Sequence, residues 1–76
     1  MRKLPGVNGP ELVKALEREG FVLKRQRGSH AVLRHPERRV TLSVPVHGSQ
    51  DLPTGTLRGI LRRAGLTADG LRRLLR

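Results

Sequence analysis

Residues 39–44, RVTLSV, alternate between apolar Val40, Leu42 and Val44 and polar Thr41 and Ser43. Strand side chains point to opposite faces in turn, so this stretch can bury only one face. Pro45 follows and is expected to stop the strand from extending. A half-buried strand is not stable alone. It needs neighbouring strands and a layer over its apolar side. FVLKRQR at 21–27 and HAVLR at 30–34 read as those neighbours. Gly28-Ser29 turns the chain between them, and HPER at 35–38 turns it into the third strand.

The covering layer is also legible. Asn8 can cap a helix, with Pro10 in the first turn and Glu11 three residues after the cap, a capping-box spacing. Leu12, Val13, Ala15 and Leu16 then share one helical face, and Gly20 suits the left-handed residue that ends a helix. From about Thr54 a second helix presents Leu57, Ile60, Leu61 and Ala64 and ends at Gly65. Gly55 and Gly59 lower its intrinsic helicity by roughly 1 kcal/mol each, so packing must stabilise it. Thr67 can cap a short third helix carrying Leu71, Leu74 and Leu75. The expected fold is α+β, in the order α-β-β-β-α-α. Its three-stranded antiparallel sheet has helices on one face and nothing on the other. No repeat or linker divides the 76 residues, which read as one domain spanning 1–76.

Composition narrows the function. A domain this small buries only about 60% of its unfolded surface. The absence of cysteine excludes disulfides, thiolate metal sites and thiol chemistry. It also fits a reducing, cytoplasmic setting. The N-terminal MRKLPGVNGP lacks the apolar run of a signal peptide, and no stretch approaches the roughly 20 apolar residues of a membrane span, so no membrane partner is expected. Sixteen basic residues, 13 of them arginine, stand against 6 acidic ones, for a net charge of +10. Coding drift toward arginine would account for arginine over lysine, but not for the shortage of acids. The balance points to a polyanionic partner, nucleic acid or an acidic protein. Phe21 is the only aromatic residue and reads as core, so bases have no stacking platform. RNA would be held through phosphates, 2′-hydroxyls and shape.

The register orders the sheet faces. A four-residue turn at 35–38 pairs Arg34 with Arg39, Leu33 with Val40, Ala31 with Leu42 and His30 with Ser43. Ala31, Leu33, Val40 and Leu42 then face the helices, while His30, Val32, Arg34, Arg39, Thr41 and Ser43 face away. The first hairpin has two alternatives. A two-residue Gly28-Ser29 turn pairs Arg27 with His30 and leaves Phe21 and Leu23 on the open face. An odd loop or a bulge returns Phe21 and Leu23 to the core and sets Lys24 and Gln26 beside His30. The odd loop is the expectation, because it buries the one aromatic residue.

His30 lies off the core face in either case. It is a solvated hairpin residue or a general acid/base. Histidine titrates near neutral pH, and RNA cleavage needs a proton taken from a 2′-hydroxyl or given to the leaving 5′-oxygen. The expected RNA contacts around it are Lys24, Arg25, Arg27, Gly28, Ser29, Arg34 and Arg39. His35, before Pro36, reads as a surface turn residue. His47, in VHG, would brace its loop by a hydrogen bond or assist the site. A zinc site built from His30, His35 and His47 is disfavoured. The spacing matches no common ligand pattern, and the local positive charge repels a metal. No metal or cofactor is expected. Arg62-Arg63 and Arg72-Arg73 read as solvated helix faces, or as contacts to phosphate or an acidic partner.

Several segments in order resemble one family: KLPGVNG at 3–9, ELVKALEREGF at 11–21, RQRGSH at 25–30, RHP at 34–36, VPVHG at 44–48 and TLRGILRRAGL at 56–66. In this order and spacing the chain resembles the HicA-type toxins of type II toxin–antitoxin pairs. The resemblance implies a double-stranded-RNA-binding-like α-β-β-β-α fold. It also implies a metal-independent mRNA endonuclease, neutralised by an acidic HicB-type antitoxin. The family's catalytic histidine lies in its GSH motif, here Gly28-Ser29-His30. Many members carry a second histidine directly after it, where this chain has Ala31. By the register above, Ala31 faces the core.

Three functions are therefore in play. The first is an mRNA-cleaving toxin using His30. The second is a non-catalytic module for double-stranded RNA. The third is a basic surface that serves only to hold an acidic protein. The free chain is expected to be a monomer.

Overall fold

Asn8 starts the first helix as its spacing to Glu11 predicts. Its Oδ1 accepts the Glu11 N–H at 2.9 Å, and the Glu11 carboxylate accepts the Asn8 N–H at 3.0 Å. The computed structural model describes residues 4–76, so Lys3 of the KLPGVNG segment lies outside them. The order is α1 (Gly9–Arg18), β1 (Val22–Arg27), β2 (His30–Arg34), β3 (Thr41–Pro45), α2 (Thr54–Ala64) and α3 (Ala68–Leu74). This is the expected α-β-β-β-α-α. The antiparallel sheet runs β1-β2-β3, with β2 in the middle. Gly20 and Gly65 hold the left-handed conformations that end α1 and α2, at φ +108° and +74°. The Thr67 hydroxyl caps α3 by accepting the Gly70 N–H.

α1 and α2 cover one side of the sheet, and α3 packs on α1. Leu12, Ala15 and Leu16 of α1, Leu57, Ile60, Leu61 and Ala64 of α2 and Leu71 of α3 bury against Ala31, Leu33, Leu42 and Val44. Each fully buried Leu or Val contributes about 1.5–3 kcal/mol. Arginines tie the helix ends together. Arg18 donates to the carbonyls of Leu74 and Arg76 at the end of α3. Arg38 donates to the last carbonyl of α2, Ala64, at 3.1 Å and pairs with Glu19 at 2.9 Å.

The register differs from expectation at both hairpins. β3 begins at Thr41 and includes Pro45, which an edge strand tolerates because its missing N–H faces no partner strand. The turn runs from Pro36 to Arg39, because His35 stays with the strand and its N–H donates to the Val40 carbonyl at 3.1 Å. Arg34 therefore pairs with Thr41, Leu33 with Leu42, Ala31 with Val44 and His30 with Pro45. The shift is two residues, so each side chain of β2 keeps its assigned face. Arg39 leaves the sheet for the turn, at φ +52°.

In the first hairpin the two weighed alternatives occur together. Gly28-Ser29 is a two-residue turn pairing Arg27 with His30, with Gly28 at φ +56°, and a bulge follows between Leu23 and Arg25. Before the bulge, Arg25 and Arg27 share the His30 face. Gln26 opposes Ala31 on the helix side, which corrects the placing of Lys24 and Gln26 beside His30. After the bulge, Leu23 opposes Leu33, and Phe21 reaches the core at 2% exposure. Leu23 itself stays 41% exposed, because β1 is an edge strand that α1 only partly covers.

Two glycines of the helices are expected to respond oppositely to alanine. A Cβ on Gly9 would lie 1.9 Å from the Pro45 carbonyl oxygen, a backbone atom that cannot rotate aside. A Cβ on Gly59 meets nothing within 4 Å. In urea melts, Gly9→Ala should lose about 1–3 kcal/mol or more. Gly59→Ala should gain about 0.5–1 kcal/mol.

Candidate nucleic-acid interface

The uncovered sheet face carries the polar residues of each alternating strand. Arg25 and Arg27 come from β1, His30, Val32 and Arg34 from β2, and Thr41 and Ser43 from β3. His30 stands at one end of this face, exposed, at the first position after the Gly28-Ser29 turn. Its cross-strand neighbours are Arg27 on one side and Pro45 on the other. Ser29 is half-buried and its carbonyl accepts the Val46 N–H at 2.7 Å, which holds the turn against the end of β3. Gly28 has open space where a side chain would be, so a ligand backbone can approach the turn closely.

Of the residues expected to contact RNA, Arg25, Arg27, Gly28 and Ser29 gather at the His30 end. Lys24 is exposed at the bulge beside them. Arg34 lies at the far end of β2, about 13 Å away at strand rise, where its guanidinium donates to the Thr41 hydroxyl at 3.1 Å. Arg39 is exposed in the turn beyond it. Arg25 and Arg27 make no hydrogen bond or ion pair among the described residues, which leaves their donors available. Arg63 donates to the Thr41 carbonyl, and Arg72 pairs with Asp69 at 2.9 Å, so these two already have partners within the fold. Arg62 is exposed on the last turn of α2.

The other two histidines separate sharply. His35 was expected on the surface and is instead buried at 6% exposure. Its ring meets Phe21 edge-on, with centroids 5.0 Å apart. Its Nδ1 accepts the N–H groups of Glu37 and Arg38 at 3.1 and 3.2 Å. Both bonds use the Nδ1 lone pair as the acceptor. Two features could have revealed this burial: the Phe21 ring needs a partner, and a side-chain acceptor suits the start of the His35-Pro36 turn. His47 is exposed and forms no bracing hydrogen bond among the described residues. Among the described residues, no three of His, Cys, Asp and Glu converge as a metal-binding set.

A second feature adjoins this end of the sheet. A groove of about 310 Å³ runs between α1 and β1, lined by Val13, Leu23, Ala31 and Val46 with Lys14 and Glu17 at its rim. Val22 and Leu23, on the same strand, are the large apolar residues most exposed to solvent.

Fold and site together define a class: a small basic α+β domain in which a double-stranded-RNA-binding-like order leaves one sheet face open, with a histidine at its end. The family model described as HicA toxin of bacterial toxin-antitoxin matches residues 9–66, and the chain belongs to that family. It is thus a toxin-type component of a toxin–antitoxin system. Comparison with curated proteins gives no match. No helix among the described residues is long and apolar enough to cross a membrane.

Replacing each histidine of this region should give distinct stability effects. His35→Ala strands two N–H acceptor contacts and opens the space beside Phe21, and should cost about 2–4 kcal/mol in urea melts. His30→Ala removes an exposed ring and should change stability by no more than about 0.5 kcal/mol.

Proposed function

We propose that this chain is a metal-independent endoribonuclease that cleaves mRNA, with His30 as general acid/base. The observation that carries this reading is the position of His30. It is exposed at the end of an open sheet face, with Arg27 directly opposite and Arg25 next on the same face. An RNA strand crossing this end would set a phosphodiester between the imidazole and the guanidinium groups of Arg25 and Arg27. The arginines hold the phosphate and offset the charge that builds on its oxygens as the 2′-oxygen attacks. The imidazole moves a proton, which is worth about 10² to 10⁴ in rate. Lys24, Arg34 and Arg39 are placed to contact flanking phosphates, and Gly28 and Ser29 let the backbone approach. Ala31, where many family members carry a second histidine, is buried on the helix side. A histidine there would not face this phosphate.

The partner in this reading is an acidic HicB-type antitoxin, drawn to the same cations that attract RNA. The α1–β1 groove, with Leu23 at its edge, offers that protein an apolar foothold beside the site. An mRNA substrate places the activity in the cytoplasm.

The test is a long defined mRNA incubated with purified protein in EDTA. Wild type should produce fragments and His30→Ala should not, while both melt alike. RNA left whole by wild type, but bound in a salt-sensitive manner, would make the chain a double-stranded-RNA-binding module instead.

The arginine assignment has its own measurement. Plotting log affinity for RNA against log salt concentration, the Arg25→Ala/Arg27→Ala double variant should show a slope shallower by roughly 1 to 2. A slope equal to wild type would place these guanidinium groups away from phosphate.

A further inference from the structure

We propose that His47 is a second catalytic residue, acting on the same phosphodiester as His30. This role rests on the endoribonuclease reading above. Cleaving RNA with its own 2′-hydroxyl moves two protons. One leaves the 2′-hydroxyl as its oxygen bonds to the adjacent phosphorus. The other arrives at the 5′-oxygen as the phosphorus–O5′ bond breaks. The products are a 2′,3′-cyclic phosphate and a 5′-hydroxyl, and no further reactant is consumed. The entering and leaving oxygens lie on opposite sides of the phosphorus in an in-line displacement, so one ring cannot serve both in a single step. One imidazole takes the first proton, and a second, starting protonated, gives the other.

Elimination leaves His47 as the second group. Histidine is the side chain whose ordinary titration falls between about pH 5 and 8. The chain has three. His35 is buried, its Nδ1 is occupied by two backbone N–H groups, and its Nε2 edge abuts Gly20. The charged groups near the His30 end are Lys24, Arg25 and Arg27 on β1, Lys14 and Glu17 at the α1–β1 groove on the helix side, and the acids Glu11 and Asp51. Glu11 is engaged in the α1 capping box, and the Asp51 carboxylate lies against Gly6.

The backbone brings His47 to the site. Pro45 is the cross-strand partner of His30, and the Val46 N–H bond to the Ser29 carbonyl extends the ladder one residue further. Val46 packs against the core and lines the α1–β1 groove beside Ala31, on the helix side. His47 follows where the chain leaves the ladder and bends, two residues beyond the partner of His30. Gly48, at φ +76°, then turns the chain. Strand spacing puts the two Cα atoms within about 12 Å. The loop is anchored at both ends. Gly9 packs directly on Pro45 and Val46, and the Leu52 N–H donates to the Val7 carbonyl at 2.8 Å. His47 is exposed on this anchored loop with no partner among the described residues, a position that no structural requirement explains.

The experiment is the pH dependence of kcat/KM on a defined RNA for wild type, His30→Ala and His47→Ala, each checked by thermal melting. Wild type should give a bell. Both variants should be slower by about 10² to 10⁴, each lacking one limb, and the missing limbs should be opposite. The variant without the alkaline limb has lost the acid. It should recover on a nucleoside 3′-(4-nitrophenyl) phosphate, whose leaving group needs no proton. A His47→Ala enzyme that keeps both limbs, or cuts at the wild-type rate, overturns the role of His47 while leaving that of His30 intact. Wild type that cleaves no RNA overturns both.

Discussion

Alternate residues of the two better-covered strands, Ala31, Leu33, Leu42 and Val44, lose nearly all their exposure in the helix-covered core, while His30, Arg34, Thr41 and Ser43 stay exposed. Both outcomes come from one constraint. A pleated strand covered on one side must place its intervening side chains in solvent. Charged groups cannot be buried without partners, so the uncovered side is where a basic chain can put arginines at low cost. The basic surface around His30 is thus the complement of the core, produced by the same alternation that drives the helices onto the sheet.

Net charge alone would have overstated that surface. Several arginines act within the fold. Arg18 closes the end of α3, Arg38 bridges α1 to α2, Arg63 bonds the β3 backbone, and Arg72 pairs with Asp69. Among the described residues, Arg25 and Arg27 have no such duty. They are also the pair beside His30, so two cations with donors to offer a ligand sit where a histidine can act. Charge that is already paired adds to the long-range field but offers few donors to a phosphate.

The glycines and the buried histidine set the precision of this end of the molecule. Gly9 lets α1 lie directly on the backbone at Pro45, which fixes where β3 ends and where the following loop begins. His35 holds the opposite hairpin by accepting two N–H groups while its ring supports Phe21. The end of β3 and the β2–β3 hairpin are therefore fixed by contacts outside the sheet. The exposed face between them can accept a ligand without having to order itself first.

Local rules were enough to read the helices, the caps at Asn8 and Thr67, the glycine stops, the element order and the outward face of His30. Each depends on residues within a turn or two of one another, and a register error of two residues left the faces of β2 intact because side chains alternate with period two. Three things depended on tertiary contact. The bulge at Lys24 reconciles a tight Gly28-Ser29 turn with burial of Phe21, two demands that conflict along a regular strand. His35 turned inward because a ring 14 residues earlier needed an edge to pack against, a contact between separate elements. The start of the loop that carries His47 is set by Pro45 pairing and the Gly9 contact, which join segments distant in the chain. The sequence by itself determined which residues could be buried and which must face water. Only the packed structure decided which exposed residues meet, because that depends on register and on where helices press against strand ends.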